Sequence, residues 1–173
     1  MLLNIPPRSL VLLVGASGCG KSTFARKHFK STEIVSSDAL RAAVSDDEAD
    51  QSASGDAFEI LRLIAGKRLR RGRLTVIDAT SVQREARRSL LALAARDRRP
   101  AIAIVLNLPV EICLARLRSR TDRRVAEKVV EKQAEDLADS LPGLSAEGFR
   151  KVYVLDNKED IDSARVLHRK RSW

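Results

Sequence analysis

Aromatic side chains supply only 3% of the 173 residues, so the core has to be assembled from Leu, Val, Ile and Ala. Little is left over to stack on nucleic-acid bases, and little base selectivity is expected. Cysteine is as scarce: Cys19 and Cys113 stand far apart and form no CxxC, which fits a reduced, cytoplasmic protein. Long apolar runs are missing too. The longest, Ala101–Leu106, falls far short of the ~20 residues a membrane helix needs, so no membrane partner is expected. The opening MLLNIPPRSL lacks the basic start of a secretory leader and is interrupted by Pro6-Pro7.

Charge is what the chain has in quantity. Lys and Arg number 32 against 23 Asp and Glu, a formal net charge of +9. The excess favours a polyanionic partner, nucleic acid or a phosphorylated metabolite; a basic, well-solvated surface accounts for it equally well. The length is that of one domain, and 44% hydrophobic residues suffice for a core.

Short apolar runs alternate with amphipathic segments. Leu10–Val14, Ile34–Val35, Leu74–Asp78, Ala101–Leu106 and Lys151–Leu155 read as strands, several of them apolar on successive residues as parallel strands covered on both faces are. Ala57, Ile60, Leu61 and Ile64 share one helical face. Val82, Ala86, Leu90 and Leu93 share another, with Arg84, Arg87 and Arg88 expected outside it. Strand alternating with helix predicts an α/β domain with a doubly wound, mostly parallel sheet flanked by helices. Ser45–Gly55 is polar and reads as a mobile loop. His168–Trp173 reads equally as the start of a linker or as a frayed end.

The strongest motif is Gly15-Ala16-Ser17-Gly18-Cys19-Gly20-Lys21-Ser22, followed by Thr23. It matches GxxxxGK[ST] in full, between a strand and a helix. Glycines let backbone N–H groups converge on phosphate oxygens, and the helix N-terminus adds its dipole. Gly15, Ser17, Gly18, Cys19, Gly20, Lys21, Ser22 and Thr23 are therefore the expected binding residues for ATP or another NTP. Lys21 would reach the β- and γ-phosphates, and the Ser22 hydroxyl would ligate Mg²⁺ or Mn²⁺. Cys19 occupies a variable position and takes no redox role. The loop does not choose a reaction, although no DxxG follows the third strand and no NKxD-like base-reading element is expected, which counts against a GTP switch. Asp78 ends a Walker B-like strand and is either in the second shell of the metal or a helix cap.

Asp38 lies beyond the second strand, where an open α/β sheet keeps its ligand crevice. It is either the carboxylate that accepts a proton from an alcohol acceptor or a helix cap paired with Arg41 at i,i+3. Farther on, Arg116, Arg120 and Arg123 fall on one face if their segment is helical. Asp122 could cap a helix running through Val129 to Leu137, with Arg123 and Arg124 in its first turn. Cations are disfavoured there, which suggests a bound anion; a solvated basic helix is the alternative.

The stretches GASGCGKSTFARKHF, SSDALR, SDDEADQ, LTVIDATS, NLPVEICLARLRSRTDRRV and EGFRKVYVLD together resemble the kinase module of bacterial polynucleotide kinase-phosphatase, an RNA end-healing and sealing enzyme. The resemblance implies transfer of an NTP γ-phosphate to a 5′-OH end of RNA or DNA. It makes Asp38 the general base and sets Arg41 on the phosphate 3′ to the acceptor nucleoside. Arg116, Arg120 and Arg123 become lid arginines over the NTP phosphates. Gln51 and Val129 join the polynucleotide side, Val129 and Val130 packing either on a terminal base or between lid and core. Ser81 stands where the family usually has Asn. The family protein carries phosphatase and ligase modules downstream, so residues 1–168 are expected to be the kinase domain and 169–173 the start of a linker. A homodimer is compatible with this reading. A metabolite kinase, an NTP-dependent switch and a non-catalytic nucleic-acid-binding protein are the rival functions.

Overall fold

A computed structural model describes residues 1–120 and 125–168. Arg123 of the expected lid and the tail 169–173 lie outside the described residues.

Five strands form one parallel sheet: β2 (Leu10–Val14), β3 (Ile34–Ser36), β4 (Thr75–Asp78), β5 (Ala101–Leu106) and β6 (Lys151–Leu155), in the order β3-β4-β2-β5-β6. Each expected strand is present. The helices between them are α1 (Lys21–His28), α2 (Ser37–Ser45), α3 (Ser54–Arg70), α4 (Arg84–Arg96), α5 (Val110–Arg118), α6 (Glu127–Ser140) and α7 (Lys158–Ser163). Successive side chains of a strand point to opposite faces, so an unbroken apolar strand has to be covered twice. On β2, Val11 and Leu13 enter a core layer with Phe24 of α1 and Cys113, Leu114 and Leu117 of α5. Leu10, Leu12 and Val14 enter the other layer, with Leu61 and Leu69 of α3 and Leu90 of α4. The doubly wound α/β arrangement follows from that division.

A second sheet was not legible in the sequence. β1 (Leu2–Ile5) pairs in parallel with β7 (Arg165–His168), joining the two ends of the described chain. His168, expected in the tail, is the last residue of that strand. Asn4 N–H donates to Tyr153 Oη at 3.0 Å, fastening the pair to β6.

Three local expectations are corrected. Arg87 does not face outward: it is fully buried, because its guanidinium meets Glu147 in a two-pronged ion pair (2.7 and 2.6 Å) and donates to the carbonyls of Ser81 and Val82. Ser45–Gly55 is not one loop: Ser45 ends α2, Ser54 and Gly55 open α3, and hydrogen-bonded turns join the two helices. Asp46 closes α2 in a left-handed conformation, Asp47 accepts from Ala49 N, and Asp50 accepts from Ser52 N. Arg120 is not on the helical face of Arg116, since α5 ends at Arg118. The helix through Val129 begins at Glu127, with Ala126 at its N-cap; Asp122, Arg123 and Arg124, expected at its start, lie outside the described residues.

Candidate active site

The loop after β2 turns on two glycines in conformations that L-residues rarely adopt, Gly18 at φ 84° and Gly20 at φ 101°. A side chain at Gly18 would also run into the Cys113 carbonyl and the Leu117 side chain of α5. The loop therefore lies directly on α5. Gly15 N–H donates to Thr80 O at 2.9 Å, tying it to the end of β4 as well. Cys19 is buried beneath the turn, and burial pushes the neighbouring-helix thiol of Cys113 up to about 11. Both thiols read as packing groups, as expected for Cys19. Lys21, the first residue of α1, is buried and donates to Gly15 O (2.9 Å) and Ala16 O (2.8 Å). Its ammonium is thus held over the loop, and the α1 N-terminus opens onto the same space.

Asp38 and Arg41 come from the start of α2, which Ser36 caps by accepting from Ala39 N. The two side chains form an ion pair, and Arg41 Nε donates to Glu48 O at 2.8 Å. The helix-stabilising pair considered from the sequence is therefore present, and it lines the ligand cleft at the same time. Asp78 ends β4 opposite Ser36 in register. Its carboxyl is raised above the usual range, chiefly by burial; a hydrogen bond from Ser22 and the nearby Lys21 charge work the other way.

From the opposite side, Arg116 Nη1 donates to Cys19 O at 3.1 Å and passes over Gly20. Gln133 of α6 accepts from Ser17 N at 2.8 Å.

One cleft of about 600 Å³ gathers these groups. Ser17 to Thr23, Asp38, Arg41, Gln51, Asp78, Arg116, Arg120 and Val129 all line it. Gly15 does not, and acts through its carbonyl. Val129 is exposed at the cleft, whereas Val130 is fully buried in the core. Ser81 has φ 49°, a left-handed conformation that Asn tolerates well, and it contributes its carbonyl to Arg87.

Sequence reasoning missed Phe58 and Gln133, which also line the cleft. Gln133 was within reach of periodicity, being four residues from Val129. Phe58 had no signal beyond being the one aromatic residue of α3. Contrary to expectation, Asn157-Lys158-Glu159-Asp160 has the letters of an NKxD base-reading element. Here Asn157 caps α7 by accepting from Asp160 N at 2.8 Å, and none of the four lines the cleft.

The donors present fit Mg²⁺ carried in with phosphates. The Ser22 hydroxyl and the buried Asp78 carboxylate are hard oxygen ligands side by side. Among the described residues no group of three His, Cys, Asp or Glu could hold a metal alone.

The AAA domain family matches residues 10–144. Among solved structures, a chain of the Pnkp1/Rnl/Hen1 RNA repair complex is similar at TM-score 0.68 and 24% identity. The match covers 80% of this chain and 46% of that one, so the protein spans less than half of its length. Shikimate kinase from Acinetobacter baumannii is similar at TM-score 0.53 and 18% identity, over 89% of this chain and 87% of that one. The Mycobacterium tuberculosis APS kinase CysC is similar at TM-score 0.52 and 17% identity, over 80% and 99%. No curated protein sequence matches. The phosphate loop, the parallel sheet and the helices around them carry one conclusion: the chain belongs to the AAA domain family and has a P-loop kinase-like fold, which implies a nucleotide phosphate donor.

Proposed function

We propose that the protein is a polynucleotide 5′-hydroxyl kinase that moves the γ-phosphate of an NTP onto a 5′-OH end of RNA or DNA during end repair. The observation that carries the reading is the Asp38–Arg41 pair on the wall of the same cleft as Lys21, Ser22, Arg116 and Arg120. In this scheme the P-loop amides and Lys21 bind the donor phosphates. Asp38 orients the acceptor hydroxyl and takes its proton as the oxygen attacks the γ-phosphorus in line. Arg41 binds the phosphate 3′ to the acceptor nucleoside. Arg116 and Arg120, with Arg123 from outside the described residues, stabilise charge spreading over the transferring group. Ser22 directly and Asp78 at second remove would hold Mg²⁺, which supplies charge neutralisation at the phosphates. Gln51 and Val129 line the acceptor side.

Incubation with labelled ATP, Mg²⁺ and a 5′-OH oligonucleotide tests the proposal. Label is expected on the 5′ end. Asp38→Asn is expected to lower kcat by about 10²–10⁴-fold with nucleotide affinity retained. Absence of transfer by a protein that binds ATP sinks the reading. A small-molecule acceptor is the second reading, favoured by the fold likeness to shikimate and APS kinases. Transfer to such an acceptor and none to the oligonucleotide would establish it.

A further inference from the structure

At the opposite end of the sheet from the phosphate loop, the connections entering β2, β4 and β5 meet. They bring Arg8, Arg70, Arg71, Arg73 and Arg99 around a concave pocket of about 500 Å³, closed by Pro7 and Gly72. The cluster is built by two helix endings of the same design. α3 ends with Gly72 at φ 65° and Arg73 N–H donating back to Arg68 O; α4 ends with Arg98 at φ 52° and Arg99 N–H donating back to Ala94 O. Each turn therefore delivers an arginine to the pocket just past the reversal. Arg98, unlike Gly72, bears the strain of that conformation.

One of the guanidiniums is fixed in place. Arg99 Nε donates to Leu69 O at 3.0 Å, which fixes the fork. A methyl group at Gly72 would lie 3.4 Å from Arg99 Nη2 and 3.5 Å from Arg8 Cδ, so both side chains close over the bare glycine. Behind them Arg68 donates to Leu74 O and leaves its buried Nε without a partner. None of the five lining arginines forms an ion pair with a carboxylate among the described residues. Asp97 lies near Arg70 and Arg99 but is bonded to Arg96, and that hydrogen bond is the largest cause of its lowered pKa. Helix dipoles account for Arg68 and Arg70 in the last turn of α3. They do not account for Arg8, which comes from another connection, nor for Arg73 and Arg99 beyond the helix ends.

We infer that this arginine pocket is a second anion site, separate from the cleft, that takes successive phosphates of a polynucleotide backbone. Five guanidiniums in one concavity exceed what a single carboxylate could neutralise, and their planar forks match phosphate oxygens. No aromatic side chain lines the pocket, so it reads the backbone and not the bases. The inference does not depend on the kinase reading, because binding can be measured without NTP on a strand that is not an acceptor.

The test is fluorescence anisotropy of a 5′-phosphorylated, labelled single strand, without nucleotide, over a salt series. The proteins compared are the wild type, Arg62→Ala (an exposed arginine of α3 that lines neither the cleft nor the pocket) and the double variant Arg8→Ala/Arg73→Ala, whose two arginines are exposed and make no side-chain hydrogen bond among the described residues. Thermal melting checks that the double variant stays folded. It is expected to bind about tenfold more weakly, with a log K against log salt slope shallower by roughly 1.4, two contacts at ~0.7 each. Arg62→Ala is expected to keep the wild-type slope, and so is Arg99→Lys, with its charge retained. An unchanged affinity and slope in the double variant overturns the site. So does equal wild-type binding of an oligoglutamate of the same charge, which would assign the pocket to an acidic protein segment.

Discussion

Asp78 sits where burial and function pull in opposite directions. Burial raises its pKa, so the folded protein holds the proton more tightly than the unfolded chain does. The sign follows: stability is highest below the ordinary Asp pKa and falls as pH rises through the raised one, because the charged form is the one burial disfavours. Asp78→Asn is accordingly expected to melt above the wild type at pH 7 in EDTA. The gap should close as the pH is lowered toward 4; a wild type that melts higher at pH 7 refutes this account. Arg41 gives a functional counterpart. Arg41→Ala is expected to raise KM for an acceptor with a 3′-phosphate by about 10-fold, the ~1.5 kcal/mol of a charged hydrogen bond. It should leave the KM of the bare nucleoside nearly unchanged, and steady-state kinetics on the matched pair decides it. At this scale the P-loop was legible in full, because glycine spacing, lysine and hydroxyl are dictated by phosphate geometry. Asp38 was legible only as two alternatives. The structure keeps the Arg41 pair, gives the helix cap to Ser36 instead, and places Asp38 on the cleft wall.

Elements were legible where burial is periodic and illegible where it is bought by a distant partner. The strands could be read from their apolar runs, and α3 from its face. On α4 the buried stripe is Arg87, Leu90 and Ala94. An arginine belongs to that stripe only because Glu147, sixty positions along the chain, meets it. Nothing local to residues 84–96 could reveal this. The pair ties α4 to the turn ahead of β6, and the Ser81 and Val82 carbonyls bring in the segment leaving β4 beside the cleft. Glu147→Ala is expected to destabilise by about 3–5 kcal/mol, since it leaves a fully buried guanidinium without its anion. Replacing both partners by apolar residues of similar volume should cost much less, and chemical denaturation of the single and double variants measures the difference. Comparable losses in the two would mean that the carbonyl contacts, not the ion pair, carry the stability.

At the scale of the whole molecule, the two ends of the described chain hold each other. β1 and β7 were invisible to the strand search, because four residues beside prolines or in a basic tail carry little pattern of their own. Their pairing nevertheless encloses Leu3 and Ile5, both fully buried in the core layer shared with α1 and α5. The folding unit proposed for residues 1–168 thus depends on its last four residues, through contacts more than one hundred and fifty positions apart in sequence. A chain ending at His168 is expected to melt with the full chain. One ending at Ala164 uncovers both side chains, at about 1.5–3 kcal/mol each, and should lose about 3–6 kcal/mol, roughly 6–24 °C in Tm. Both truncations leave the cleft lining intact, so ATP binding at low temperature should persist in each. If the two truncations melt together, the terminal sheet is an ornament on the domain and not part of its core.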